Sequence, residues 1–188
     1  MPARKIGPPT SARLVALLRG VNVGGNKAVP MASLRAMAMQ LGWTDVATYL
    51  QSGNLVFTAV VDVVGASKQL ERALAEQFDF TVPVVIRRGE EFARDVAACP
   101  FPEAATERPQ LVHVGYSREP LRASMANELT AYCTAGERVI VREQAMWIDF
   151  VGGVARAKLT SAVLDRVVGG IVTLRNLKSA RAIAALVG

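Results

Sequence analysis

The chain has 188 residues, of which 51% are hydrophobic, and carries a formal net charge of +6 at pH 7. This length and apolar content suffice for one large domain or two small lobes. No apolar run reaches the roughly 18 to 20 residues that a membrane span needs, and residues 1–13 lack a signal-type apolar block, so we expect a cytoplasmic protein without a membrane partner. The only cysteines, Cys99 and Cys133, fit no Cys-x-x-Cys pattern, which favours buried free thiols.

The first part of the chain predicts a tail followed by a compact lobe. Residues 1–12 are rich in proline and charge and predict a disordered tail. Residues 13–88 predict a βαββαβ unit, the pattern of a ferredoxin-like lobe. Its strands are predicted at residues 13–19, 46–50, 54–60 and 81–87, and its helices at residues 30–41 and 67–78. In this topology the fourth strand lies at a sheet edge, where Pro83 is tolerated.

The second part of the chain predicts the same order of elements. Residues 89–109 predict a connecting helix at 89–98 and then a loop punctuated by prolines. Residues 110–188 predict a second ferredoxin-like lobe and a C-terminal helix. The strands are predicted at residues 110–116, 138–142, 145–150 and 171–173, and the helices at residues 120–133, 161–168 and 177–187, the last with Asn176 as its N-cap. No residue-level repeat links the halves, so the predicted α+β fold of two lobes with mainly antiparallel sheets rests on element order.

Two segments of the first lobe end in glycine and asparagine. Residues 17–27 read LLRGVNVGGNK, and residues 49–57 read YLQSGNLVF. These residue types permit positive φ and close approach of a ligand to the backbone. Because the first strand runs antiparallel to the third, the end of one lies beside the start of the other. The sequence therefore predicts a binding edge where the two loops meet.

The residues at this edge suit a small anion such as a phosphate or a carboxylate. The candidate ligand-binding residues are Arg19, Asn22, Gly24, Gly25, Asn26, Lys27, Gln51, Ser52, Gly53 and Asn54. The alternative is that the glycines serve tight turns and the asparagines cap local backbone. Arg175 and Asn176, before the last helix, form a second candidate for anion binding, with an inter-lobe salt bridge as the alternative role of Arg175.

The two glycine-rich segments resemble the opening of the bacterial domain-of-unknown-function family 1697, whose members carry LLRGxNVGG and YxQSGNxxF. Residues 173–176 (TLRN) are similar to the family's TxRN, and residues 158–160 (KLT) to its lysine-containing approach to the penultimate helix. The resemblance runs from about Leu14 to Leu186 and implies two ferredoxin-like units. It supplies no catalytic residues. The likeness loosens at residues 177–179 (LKS), where members often have an aromatic residue and then Asn-Thr.

Several chemistries are disfavoured by the residues present. The glycines of VNVGG match neither G-x-G-x-x-G nor a Walker loop, so no cofactor is predicted. His113 is the only histidine and lies in an alternating strand, which favours a packed residue and no metal site. The catalytic residues, and whether the protein is an enzyme, stay open.

Two other classes of function are left open by the sequence. One is a nucleic-acid-binding or regulatory module that uses the basic residues of the C-terminal segment, which are Arg156, Lys158, Arg175, Lys178 and Arg181. Recognition of RNA by the sheet face is disfavoured, because Phe57 is the only aromatic residue of the central strands of the first lobe. The other class is a structural or oligomerising protein without a ligand.

Overall fold

The computed structural model describes residues 11–25 and 27–188. Within these residues it has two four-stranded antiparallel sheets and seven α-helices. The chain divides into a first unit that ends at Glu90 and also includes Val187, and a second unit that runs from Glu91 to Leu186. Each unit has one sheet with its helices, which confirms the predicted α+β fold of two ferredoxin-like lobes. Most of the predicted tail, residues 1–10, lies outside the described residues.

The first unit is a βαββαβ structure whose strands follow the order β2-β3-β1-β4. Its strands are β1 (Ala12–Leu18), β2 (Thr44–Tyr49), β3 (Asn54–Ala59) and β4 (Val84–Arg88), and its helices are α1 (Met31–Gln40) and α2 (Val63–Phe78). β1 lies between β3 and β4 and is antiparallel to both. β4 is therefore an edge strand, as predicted, and Pro83 lies immediately before it.

The core of the first unit follows from the alternation of side chains along β1. Leu14, Ala16 and Leu18 face the apolar sides of α1 and α2 and pack in one buried cluster with Leu34 and Leu70. α2 begins four residues earlier than its apolar spacing predicts, because the Asp62 side chain accepts a hydrogen bond of 2.7 Å from the Gly65 amide and caps the helix.

Residues Gly89–Ala97 form α3, as predicted for the connecting helix, and Pro102–Glu107 form a short helix α4. The prediction of a loop at residues 102–107 is wrong. Pro102 lies at the start of α4, where its missing amide proton costs no helical hydrogen bond, and Ala104 and Ala105 bury the inner side of the helix.

The second unit repeats the topology with the strand order β6-β7-β5-β8. Its strands are β5 (Val112–Ser117), β6 (Arg138–Arg142), β7 (Ala145–Asp149) and β8 (Val172–Asn176), and its helices are α5 (Ser124–Thr130), α6 (Ser161–Val168) and α7 (Leu177–Ala185). α5 is shorter than predicted and β8 is longer. β8 extends because His113 of β5 pairs with Asn176, which brings Arg175 into the sheet.

No helix in the described part of the chain combines the length and the apolar character that crossing a membrane requires.

Candidate binding rim of the first unit

The loop after β1 and the turn before β3 meet at one end of the first sheet. We call residues 19–27 and 49–54 together the rim. The antiparallel register pairs Leu17 with Asn54, and the Leu18 amide donates a hydrogen bond of 2.8 Å to the Gly53 carbonyl. The topology thus brings together segments that are about thirty residues apart in sequence. Asn26, one of the predicted site residues, lies outside the described residues.

Asn22 joins the two parts of the rim through its side chain. Its Nδ2 donates to the Gln51 carbonyl at 2.6 Å and to the Val29 carbonyl at 2.9 Å, and its Oδ1 accepts from the Val29 amide at 2.8 Å. Asn22 itself has a left-handed backbone, with φ of 56°. Asparagine tolerates this conformation and offers both a donor and an acceptor in one short side chain. The residue therefore acts as a clamp between the loop and the turn.

Asn54 is fully buried at the start of β3. Its Nδ2 donates to the Tyr49 carbonyl at 2.8 Å and to the Ser52 hydroxyl at 2.9 Å, so the side chain closes the turn that it follows. Gly53 has φ of +73°, and a Cβ atom there would lie 2.6 Å from Leu18 Cβ and 2.7 Å from Val21 Cγ2. Only glycine fits both this conformation and this contact.

The outer part of the rim is exposed backbone and small side chains. Gly24 and Gly25 have φ of +60° and +78°, and a Cβ atom at either position would meet nothing within 4 Å. Gln51 and Ser52 are also exposed. Two apolar side chains of the rim are exposed as well, Val23 at 67% and Leu50 at 55% relative accessibility. The rim is therefore exposed to solvent at Gly24 and Gly25 and buried at Gly53 and Asn54.

Two cationic residues belong to the rim. Lys27 is exposed, and its Nζ donates to the Thr81 carbonyl at 2.8 Å, which holds the ammonium near the start of β4. Arg19 is half-buried, and its amide donates to the Pro83 carbonyl at 2.9 Å. The Arg19 contact fixes the backbone at that residue, whereas the Lys27 contact holds the side chain, whose ammonium has further protons to donate.

Arg175 and Asn176 belong to the second unit. Arg175 lies within β8 opposite Val114 and not, as expected, after a strand that ends at Thr173. The side chain is buried, and its Nη1 donates to the Thr173 hydroxyl at 3.1 Å and to the Leu174 carbonyl at 2.8 Å. Burial lowers the pKa of this guanidinium to about 10. Arg175 therefore adds no exposed charge to the C-terminal basic segment.

Asn176 is the N-cap of α7, as predicted. Its Oδ1 accepts a hydrogen bond of 2.8 Å from the Ser179 amide. This bond satisfies one of the amides that a helix start leaves without an internal partner.

Sequence reasoning missed an ion cluster around one buried carboxylate in the second unit. Asp149 is fully buried at the end of β7 and accepts from Arg108 at 2.8 Å and from Arg138 at 2.6 Å. The guanidinium of Arg138 also lies 4.8 Å from the centre of the Phe101 ring. The sequence does show an acidic residue, Asp149, at the end of the apolar run AMWID. It does not show the two arginines that bind this carboxylate, because they are 41 and 11 residues away.

Other candidate groups have local roles. The His113 ring meets the Phe150 ring edge-on at 5.0 Å, and burial lowers the pKa of His113. Cys99 and Cys133 are free and half-buried, and burial raises the pKa of both thiols. Phe57 stacks on Trp43 at 3.9 Å inside the core of the first unit, so it offers no platform for a base. In the described residues, no three His, Cys, Asp or Glu side chains are grouped to hold a metal ion.

The described geometry defines an α+β protein built of two ferredoxin-like units with a clamped, glycine-rich rim. The family model described as "Protein of unknown function (DUF1697)" matches residues 12–147. This match spans more than half of the chain, so the chain belongs to the domain-of-unknown-function family 1697, which confirms the resemblance read from the two glycine-rich segments.

A solved structure shares the fold. It is that of a conserved bacterial protein from Streptococcus pneumoniae, with a TM-score of 0.68 and 20% sequence identity over 95% of this chain and 100% of that one. At this identity the likeness shows the fold alone. No curated protein matches the chain.

Proposed function

We propose that the rim of the first unit binds a small anionic ligand, such as a phosphorylated metabolite. The exposed amides of Gly24 and Gly25 approach the anion, and Arg19 and Lys27 supply positive charge. Successive amides of a glycine turn form the kind of concavity that anions occupy in many proteins. In this proposal Asn22 and Asn54 position the two loops, whereas the sequence-based expectation counts them among the ligand contacts.

The observation that carries this proposal is the Asn22 clamp. A hydrogen bond of 2.6 Å to the Gln51 carbonyl and two bonds to Val29 hold a loop in which Val23, Gly24 and Gly25 are exposed. Ordering a flexible loop costs free energy when a ligand binds, and a loop that is already ordered avoids this cost. The clamp therefore favours a preformed site over a loop that folds around its ligand.

The neighbours of the glycines suit a ligand with both a charged and an apolar part. Val23, which follows Asn22, and Leu50, which precedes Gln51, are both exposed. Exposed apolar side chains beside a polar site commonly contact the uncharged portion of a ligand. A sugar phosphate or a nucleotide has this combination of groups.

The test begins with a thermal-shift screen against nucleotides, sugar phosphates and acidic metabolites. Affinity for the best compound is then measured by calorimetry in the wild type and in Arg19→Ala. Loss of one charge-assisted hydrogen bond is expected to weaken binding by about 1 to 3 kcal/mol. Arg72→Ala is the matched control, because Arg72 is an exposed arginine of α2 in the same unit that pairs with Glu76 at 2.7 Å.

Two results would count against the proposal. Equal affinity of the wild type and Arg19→Ala would remove Arg19 from the site. Absence of any thermal shift across the three classes of anion would remove the site itself, and would favour a structural role for the rim.

A further inference from the structure

The second unit contains a cleft between α3 and the β6–β7 hairpin. Its volume is about 290 Å³, and its charged and aromatic lining residues are Arg94 and Asp95 of α3, Arg142 of β6, Glu143 of the β6–β7 turn and Trp147 of β7. A water molecule takes up roughly 30 Å³ of liquid, so the cleft has room for about ten non-hydrogen atoms. This is the size of a small metabolite.

The sheet register places the apolar floor of the cleft beside its charges. Arg142 pairs with Ala145 across the hairpin, and Trp147 follows Ala145 by two residues, so all three lie on the same face of the sheet. Arg94 of α3 and Ala98, the residue just after α3, are four residues apart and also line the cleft. The apolar part of the lining is thus alanine and tryptophan, and the charged part is the two guanidinium groups with the carboxylates of Asp95 and Glu143.

Both arginines of the cleft are available to a ligand. Arg94 and Arg142 are exposed, and neither side chain makes a hydrogen bond or an ion pair with any of the residues that the structure describes. By contrast, Arg108 and Arg138 of the same unit are committed to Asp149. Guanidinium groups bind carboxylate and phosphate groups in a planar, two-point manner.

The cleft also contains a buried acceptor. Asp95 is next to Arg94 on α3, is 9% exposed, and lines the cleft. A carboxylate has room for about four hydrogen bonds, so it can accept one from a ligand in addition to its bonds within the chain. Glu143 is a second carboxylate of the lining and is exposed. A ligand that fits the two arginines and these two acceptors carries negative charge together with an amino or hydroxyl group.

We propose that this cleft binds a small organic acid that carries an amino or hydroxyl group, of the amino-acid or hydroxy-acid class. Its carboxylate groups pair with Arg94 and Arg142, and its donor group faces Asp95. Its carbon chain lies on Ala98, Ala145 and Trp147. The site is separate from the rim and does not depend on the function proposed there.

Tryptophan fluorescence gives a direct readout. The sequence has two tryptophans, Trp43 and Trp147. Trp43 is buried in the first unit against Phe57, so the variant Trp43→Phe leaves Trp147 as the only indole signal. In this background the full chain is titrated with L-malate, L-aspartate, succinate and inorganic phosphate. Succinate has the two carboxylates of the first two probes and lacks their donor group.

We expect a saturable change of Trp147 emission with L-malate or L-aspartate, and at least fivefold weaker binding of succinate. Adding Arg94→Ala and Arg142→Ala together is expected to weaken binding at least tenfold. Asp95→Asn is expected to remove most of the preference over succinate. The matched control is Arg122→Ala, an exposed arginine of the same unit outside the cleft lining, and it is expected to leave the titration unchanged. Circular dichroism melts confirm that each variant is folded.

The proposal is overturned if none of the four probes gives a saturable change, or if the double arginine variant binds as the wild type does. A saturable change with phosphate and with none of the organic acids would also overturn it, since the proposed ligand donates a hydrogen bond to Asp95 from an amino or hydroxyl group. Arg19 belongs to the rim and not to the cleft, so Arg19→Ala is expected to leave this titration unchanged. A negative result here therefore leaves the proposal for the rim standing, and a negative result at the rim leaves this one standing.

Discussion

The two units have the same strand order but fix equivalent loops in different ways. In the first unit, Asn22 from the loop after β1 donates to the carbonyl of Gln51 in the turn before β3. In the second unit, Gln144 from the turn before β7 accepts from the amide of Leu121 in the loop after β5. In both units a side-chain amide joins the loop after the first strand to the turn before the third strand. The loop supplies this amide in the first unit, and the turn supplies it in the second.

The two halves of the sequence therefore use different residues for the same contact. The topology requires that the loop after the first strand and the turn before the third be held together. It does not require that a particular position supply the bond. Each half therefore contains this contact, but a different position supplies the side chain that makes it.

A second difference concerns the buried polar residue of the third strand of each unit. In the first unit it is the neutral Asn54 at the start of β3, which bonds within its own turn. In the second it is the charged Asp149 at the end of β7, held by Arg108 and Arg138. Burying a charge is far more costly than burying an amide, so the second unit depends more on its partners.

The largest effect is expected from removing both partners of Asp149. The double variant Arg108→Ala with Arg138→Ala leaves a carboxylate without its cations in a fully buried position. The free energy of unfolding is expected to fall by about 3 to 5 kcal/mol, the usual cost of breaking a buried ion pair. Urea denaturation measures this, with Arg122→Ala as the control. A loss below about 1 kcal/mol would show that Asp149 is well solvated and that the contrast with Asn54 is wrong.

The next effect compares two glycines of the rim. Gly53→Ala forces a Cβ atom to within 2.6 Å of Leu18 Cβ and also keeps a positive φ. Gly24→Ala has the positive φ but an open space around the new atom. We expect a loss of about 2 to 4 kcal/mol at Gly53, from strain plus overpacking, and about 1 to 2 kcal/mol at Gly24. Thermal and urea unfolding report both values, and equal losses would contradict the packing described at Gly53.

The two bridging amides give a smaller and more direct comparison. Asn22→Ala removes three hydrogen bonds of 2.6 to 2.9 Å, whereas Gln144→Ala removes one of 3.3 Å. At about 1 kcal/mol or less per bond in exposed loops, we expect roughly 2 kcal/mol for Asn22 and below about 1 kcal/mol for Gln144. Urea denaturation of the two variants measures both losses in the free energy of unfolding. A larger loss at Gln144 would reverse the proposed order of the two clamps.

The smallest effect is the pH dependence due to His113, which lies in the second unit. Burial lowers its pKa from the ordinary value of 6.5. The unfolded chain therefore binds a proton more readily than the folded one, so the contribution of His113 to stability is complete above pH 6.5 and is lost as the pH falls toward the folded-state pKa. His113→Gln is expected to lose less stability between pH 7.5 and pH 5.5 than the wild type does. An identical loss in both would show that His113 is solvated.

The order of elements and the meeting of the two rim loops could be predicted from the sequence. Apolar spacing identifies strands and helices locally, and a βαββαβ order has one common sheet arrangement, which then makes residues 22 and 51 neighbours. The hydrogen-bond partners of the Asn22 side chain could not be predicted, because an asparagine that binds a carbonyl and one that binds a ligand look the same in sequence.

Contacts between distant residues set the other limits. Arg175 was expected at a helix start because the apolar run ends at Thr173, but pairing with β5 continues the strand to Asn176. Pro102 reads as a loop residue although it begins α4. The partners of Asp149 and the lining of the cleft come from separate elements, so neither leaves a local pattern.

The most direct test of the proposed function is nuclear magnetic resonance of the backbone amides of the rim. A ¹⁵N-labelled chain is titrated with inorganic phosphate and then with the best compound of the thermal-shift screen. We predict saturable shifts of the Gly24 and Gly25 amides in the wild type, weaker saturation in Arg19→Ala, and no comparable shift at the exposed control Gly136 in the second unit. Shifts that never saturate, or that are equal at Gly136, would contradict anion binding by the rim.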